Sequence, residues 1–400
     1  MIGLLILTYL TFISLGLGSS LLGSAWPVMY GQFGVDAAAA GTVSMLISGS
    51  TIVATYLCAR LLRRFGTGFV LAAGLCLMAA AIFAFSLSGH FLLLCLLAIP
   101  LGFGAGSVDT SGNGFLAVHY NAKHISWLHC FWGVGATAGP AVMVLSLTQL
   151  GGWRMGYRIV AVVQLAVVGI LFASLARWKR VRSAEEAQLE PSADSSPEEV
   201  PSTSALLRLR GAPMAILLFF VTGGMETTLA LWGSTYLVLA RGVSQETATS
   251  WLALYFFGLT AGRFLFGFLA ARLHNKGMIR IGQSIIAVGL LVLVLPFDQA
   301  LAPSFILLGL GVAPIFPNYV HSTPKLFGKQ HAQAMIGIQM VGTHSGNMFL
   351  PPLFGLIGRQ FGYQLFPIFV GVLFLFTVWS VTALFRYLPK GDTVQTATKG

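Results

Sequence analysis

Twelve stretches of this chain are apolar over roughly 20 residues or more, the length a helix needs to cross the hydrocarbon core of a bilayer. They run over 4–26, 38–59, 67–89, 92–117, 125–149, 154–176, 213–238, 247–270, 278–297, 302–322, 332–357 and 364–387. No water satisfies the backbone inside a bilayer, so such runs must close their hydrogen bonds internally, as helices do. The expected fold class is an all-α membrane protein. Composition agrees: hydrophobic residues make up 56% and charged ones 9%, against about 25% charged in an average soluble domain. The net charge of +11 does not describe a nucleic-acid face, because Lys and Arg punctuate the apolar runs instead of gathering on one polar segment. The expected partner is the lipid bilayer, not nucleic acid.

Those punctuating charges carry the topology. With the N-terminus placed inside, 18 of the 23 Lys and Arg residues fall in inside segments. Four fall outside (Arg154, Arg158, Arg241 and Arg359), and Arg263 lies within a span. Both termini are therefore expected in the cytoplasm, the chain spanning a bacterial inner membrane. Met1-Ile2-Gly3 carries no charged side chain, so the first run reads as a retained helix rather than a cleaved signal peptide. Cys58, Cys76, Cys95 and Cys130 lie in or at the ends of apolar runs without metal-ligand spacing, and read as free packing thiols.

Residues 178–212 form the one long polar stretch, with Glu185, Glu186, Pro191, Pro197, Glu198, Glu199 and Pro201. That composition buries no core and predicts a flexible cytoplasmic linker. It separates a six-helix half, 1–177, from a second, 213–388, leaving 389–400 as a cytoplasmic tail. The halves echo each other. Arg64 and Arg272 follow the second and eighth spans at an offset of 208, and Gly102-Phe-Gly104 answers Gly309-Leu-Gly311 at 207. Gly152-Trp-Arg-Met-Gly-Tyr157 opens span six and Phe361-Gly-Tyr363 opens span twelve. Duplicated halves of this kind are a transporter signature. Two spans are expected to be irregular: the tenth, with Pro303, Pro314 and Pro317, and the eleventh, with His344, Asn347, Pro351 and Pro352.

The twelve spans, the 6+6 division and the basic segments Arg60-Leu-Leu-Arg-Arg-Phe-Gly66 and Gly267–Lys276 resemble the major facilitator superfamily. Arg63 and Ala271 stand where that family's motif has Asp, and Gly152-Trp-Arg154 resembles its pattern before span six. A narrower set is similar to the fucose permease-like sugar:proton symporters: Gly104-Ala-Gly-Ser-Val-Asp-Thr-Ser-Gly-Asn113, Leu128–Pro140, Gly223-Gly-Met-Glu226 with Trp232, Gly262-Arg-Phe264 and Ala313-Pro-Ile-Phe-Pro317. The acid that those permeases carry in span one is missing between Leu17 and Trp26. The resemblance implies two pseudo-symmetric six-helix halves and a monomeric secondary active transporter. Such a protein moves a sugar or similar small solute by alternating access, coupled to protons.

Ionisable groups inside spans are costly and usually functional. Asp109, in span four, and Glu226, at the centre of span seven, are the expected proton-coupling carboxyls, with His129 in span five as a further protonatable group. Asn113 shares a helix face with Asp109 and offers both donors and an acceptor to hydroxyls. Glu226, Trp232, Asn318, Gln339 and Asn347 complete the expected substrate-binding set, a ring against the solute face and polar groups at its edges. Arg263 keeps its charge and is expected to act in gating, paired with Asp109 or touching His129. No P-loop, metal cluster or nucleophile–base pair is visible, so neither cofactor nor enzyme activity is expected. The rival readings are a drug or metabolite exporter of the same fold, a non-transporting receptor, and an intramembrane enzyme.

Overall fold

The chain is seen in a computed structural model that describes residues 2–120, 122–188, 203–269 and 272–387. Before the linker come α1 (Ile2–Ser19), α2 (Leu21–Gln32), α3 (Ala39–Phe65), α4 (Thr67–Leu87), α5 (Phe91–His119), α6 (Ala122–Gln149) and α7 (Trp153–Ala173). Next are α8 (Leu175–Gln188) and α9 (Thr203–Leu207). After them come α10 (Ala212–Arg241), α11 (Gln245–Leu269), α12 (Asn275–Leu293), α13 (Leu301–Val312), α14 (Ile315–Phe327), α15 (Lys329–Phe361) and α16 (Phe366–Leu384). Eleven helical segments among the described residues are long and apolar enough to cross a membrane, α1 with α2 and α13 with α14 each counting as one. The eleventh predicted span is α15, which is 33 residues long but diluted by Gln339, Thr343, His344, Ser345 and Asn347.

The internal echo has a packing basis. Close approach of membrane helices favours residues without a side chain. Gly102 of α5 faces the carbonyl of Ile47 on α3, and Gly104 faces that of Gly74 on α4. Gly309 of α13 faces the carbonyl of Tyr255 on α11, and Gly311 faces that of Gly282 on α12. The pairs 47/255 and 74/282 repeat the 208-residue offset, so the same two helix crossings are built twice. The fold is an all-α membrane architecture of two pseudo-symmetric helix groups, α1–α7 and α10–α16.

Prolines shape the irregular spans in two ways. The tenth span breaks between α13 and α14, at Ala313 and Pro314, as its prolines predict. The eleventh does not break: α15 runs unbroken through Pro351 and Pro352. Pro351 has no N–H for the carbonyl of Asn347, four residues earlier. Ser48 Oγ on α3 donates to that carbonyl at 3.4 Å. Trp232 Nε1 on α10 donates to the carbonyl of Pro351 at 2.8 Å. Partners on two other helices therefore hold the helix through its weak point, as helix-breaking residues in membranes require.

The expected flexible linker differs at its described ends. α8 continues to Gln188, and α9 forms before Ala212. Trp178 is the reason for the first: it is buried, its Nε1 donates to Ser174 Oγ at 3.1 Å, and its ring lies against Gly68 at the start of α4. Leu206 anchors α9 in the same way. Residues 189–202, Ala271 and the tail 389–400 lie outside the described residues. All four cysteines are free.

Candidate functional site

Glu226 sits midway along α10, and its neighbourhood is set by glycines. Gly223 and Gly224 let α10 lie directly on Thr343, Gly346 and Leu350 of α15. This brings Thr227 to Asn347, and with the Asn347 amide turned so that Nδ2 faces these acceptors it lies 3.0 Å from Thr227 Oγ1, 2.8 Å from the Gly223 carbonyl and 3.2 Å from the Thr343 carbonyl. Asn347 thus packs on the turn of α10 that carries Glu226.

Arg263 on α11 is the hub. Its Nη2 lies 3.4 Å from Glu226 Oε1, with the two side chains 12% and 22% exposed. Its Nη1 donates to the His129 carbonyl on α6 at 3.4 Å. Its guanidinium lies over the Trp132 ring, 5.0 Å from the centroid, as a cation over an aromatic face prefers. One cation therefore joins a carboxylate of its own helix group to the backbone and an indole of the other. The Nε of Arg263 and the hydroxyl of Tyr255, two turns back on α11, are buried with no hydrogen-bond partner.

The expected pairing of Arg263 with Asp109 is corrected: its ion pair is with Glu226. Asp109 instead takes Asn113 Nδ2 on Oδ1 at 3.0 Å, and the same amide donates to the Asp109 backbone carbonyl, also at 3.0 Å. Both are partly buried on α5. His129 offers Arg263 its main chain, while its ring stands edge-on to Phe12, 6.4 Å between centroids.

Three expected substrate-binding residues are enclosed instead. Trp232 is fully buried between Phe354 and Tyr363, with its N–H on Pro351. Asn318 Nδ2 donates at 2.6 Å to the carbonyl of Pro314, the residue that caps the start of α14. Gln339 accepts from Thr323 Oγ1 at 3.0 Å and ties α15 to α14. In each case the polar atom is engaged in packing in this conformation. Trp132, under the Arg263 guanidinium, and Thr227, beside Asn347, lie in the cluster around Arg263 and α10. Trp132 was visible only as one position among the glycines of Leu128–Pro140, and a Trp in an apolar span looks the same whether it packs or carries a cation.

The chain matches the Major Facilitator Superfamily over residues 8–252 and 214–400, and it belongs to that family. It is a membrane transporter, not an enzyme. It is 25% identical over 405 residues to Bypass of stop codon protein 6 of Saccharomyces cerevisiae, covering 94% of this chain and 79% of that one. To the glucose/mannose transporter GlcP of Bacillus subtilis it is 23% identical over 253 residues, 61% of this chain and 60% of that one. Among solved structures it is similar to the nucleoside transporter NupG, with a TM-score of 0.73 at 15% identity, covering 96% of this chain and 99% of that one. A bacterial homologue of the human lysosomal transporter Spinster, inward-facing and unoccupied, gives 0.72 at 13%, covering 97% and 98%.

Proposed function

We propose that the protein is a proton-coupled transporter of a sugar or similarly hydroxyl-rich small solute, working as a monomer by alternating access. The observation that carries the reading is the Glu226–Arg263 pair, its acid midway along α10 and its cation fastened to the other helix group through Trp132 and the His129 carbonyl. A ligand shifts a conformational equilibrium only if it interacts differently with the two states. A proton on Glu226 meets that condition. It removes the charge that Arg263 neutralises and frees the guanidinium to strengthen its contact with α6 or to turn to a solute oxygen. The unpartnered Arg263 Nε and Tyr255 hydroxyl, with Thr227, Asn347 and the Trp132 ring, are polar edges and an apolar face suited to a polyol. The partial match to a glucose/mannose transporter supports the substrate class.

Uptake into proteoliposomes tests the coupling. An imposed inward proton gradient should drive accumulation of the transported sugar, Glu226→Gln should lose accumulation, and counterflow should survive because it needs no net proton release. Accumulation by Glu226→Gln equal to wild type would remove Glu226 from the coupling step. Retention of a panel of drugs but of no sugar would favour the exporter reading.

The orientation is proposed from the Lys and Arg distribution, both termini facing the cytoplasm of a bacterial inner membrane. Asp298 and Arg241, 3.3 Å apart, lie at the end of the bundle remote from the linker. A reporter fused after Gly400 should read cytoplasmic, and one inserted near Asp298 should read on the opposite side. A cytoplasmic signal near Asp298 overturns the orientation.

A further inference from the structure

We propose that an apolar groove between α3, α4 and α5, at the linker end of the bundle, holds one acyl chain of an anionic phospholipid whose headgroup is bound by Arg60 and Arg64. The groove measures about 170 Å³, and Phe65, Phe69, Ala73, Leu77 and Phe103 form most of its wall. Its one hydroxyl, on Ser107, already donates to the Phe103 carbonyl at 2.8 Å. The groove therefore offers a ligand apolar surface alone. Phe69 to Leu77 is two turns of α4, roughly 12 Å of helix. A chain lying there runs from the end of the bundle into the hydrocarbon.

The charge at the mouth selects the headgroup. Tyr56, Arg60 and Arg64 are spaced by four and form one exposed stripe of α3. The Arg64 guanidinium lies 5.2 Å from the ring centroid of Phe65, itself a wall of the groove. Beside it, α8 presents Lys179 and Arg180 to solvent and is fastened to the start of α4 by Trp178. No carboxylate occurs between Asp36 and Asp109, so Arg60 and Arg64 meet no acid on α3 or α4. A zwitterionic lipid fills the groove but leaves this charge unanswered, and a soluble phosphate answers the charge but leaves the groove empty. An anionic phospholipid does both. The site is separate from Glu226 and Arg263 and does not rest on the transport reading.

The test is native mass spectrometry of the full chain from mixed micelles with equal dioleoyl phosphatidylglycerol and dioleoyl phosphatidylcholine. The wild type should retain the phosphatidylglycerol in preference, by about five-fold for each arginine engaged. Arg60→Gln with Arg64→Gln should lose the preference, and Arg60→Lys with Arg64→Lys should keep most of it. Ala73→Phe, which fills the groove, should lower retention of both lipids without changing their ratio. Glycerol 1-phosphate, a headgroup without chains, should not compete. Equal retention by the wild type, an unchanged preference in the double Gln variant, or displacement by glycerol 1-phosphate each overturns the proposal. Thermal unfolding of every variant in phosphatidylcholine alone separates loss of lipid from loss of fold.

Discussion

Arg263→Ala is expected to abolish accumulation and to destabilise the protein, while the double change Arg263→Ala with Glu226→Gln restores stability without restoring transport. Removing the cation alone leaves the Glu226 carboxylate in mid-bundle with its nearest counter-charge gone. Breaking a fully buried pair in this way costs about 3–5 kcal/mol; Glu226 retains 22% exposure, which places the expected loss at or below the lower end of that range. Neutralising both partners removes the unpaired charge, so the cycle should show coupling of about 1–3 kcal/mol. The same cycle between Arg263→Ala and Asp109→Asn should be additive, because Asp109 is satisfied by Asn113 on its own helix. Thermal unfolding and counterflow on the wild type, the three single variants and the two double variants measure both cycles. Additivity between positions 226 and 263, or coupling between 109 and 263, would reassign the partner of Arg263.

A side chain at Gly23 or Gly41 should hold the two helix groups apart at the end remote from the linker. A Cβ at Gly23 collides with the carbonyl oxygen of Ala230 on α10, and one at Gly41 comes within 2.7 Å of Pro352 Cα on α15. Both obstacles are backbone or proline ring, which cannot turn aside. Ser24 and Thr249 meet at the same end, Thr249 Oγ1 donating to the Ser24 carbonyl at 3.1 Å. Overpacking typically costs about 1–3 kcal/mol, here charged only to the conformation in which these surfaces touch. That shifts the equilibrium about 5- to 150-fold toward separation. With Ser24→Cys as the probe, Gly23→Leu or Gly41→Leu should raise labelling by an impermeant maleimide from that side and suppress transport. Gly49→Ala is the control on the helix of Gly41: its added carbon meets only the Met348 side chain, the methyl at 3.5 Å and the sulfur at 3.8 Å, ordinary van der Waals contact, so labelling should stay at the wild-type level. Unchanged labelling in both leucine variants would show that the contact is not part of the transport cycle.

The spans were legible because apolar length alone specifies a membrane helix, and the break at Pro314 was legible because proline acts locally. The continuity of α15 was not, since the groups that repair Pro351 come from α3 and α10, far away in sequence. The site divides in the same way. Glu226 and Arg263 stand out as charges that a bilayer tolerates only for a reason. Which acid the arginine chooses depends on how α11 is set against α10 and α5, and helical periodicity assigns a face without naming the neighbour. The two indoles differ in a way that sequence does not carry: a Phe and a Tyr lie against the ring of Trp232, and a guanidinium lies over that of Trp132.

The bond from Ser48 to the Asn347 carbonyl has a mechanical consequence. Its donor and acceptor belong to opposite helix groups, so it acts as a removable splint across the Pro351–Pro352 joint. Any rocking that draws α3 away from α15 takes the splint with it. Part of the stiffness of α15 is therefore borrowed from the neighbouring group: when the groups part there, Trp232 of its own group keeps its hold on Pro351 while the share lent by Ser48 is lost.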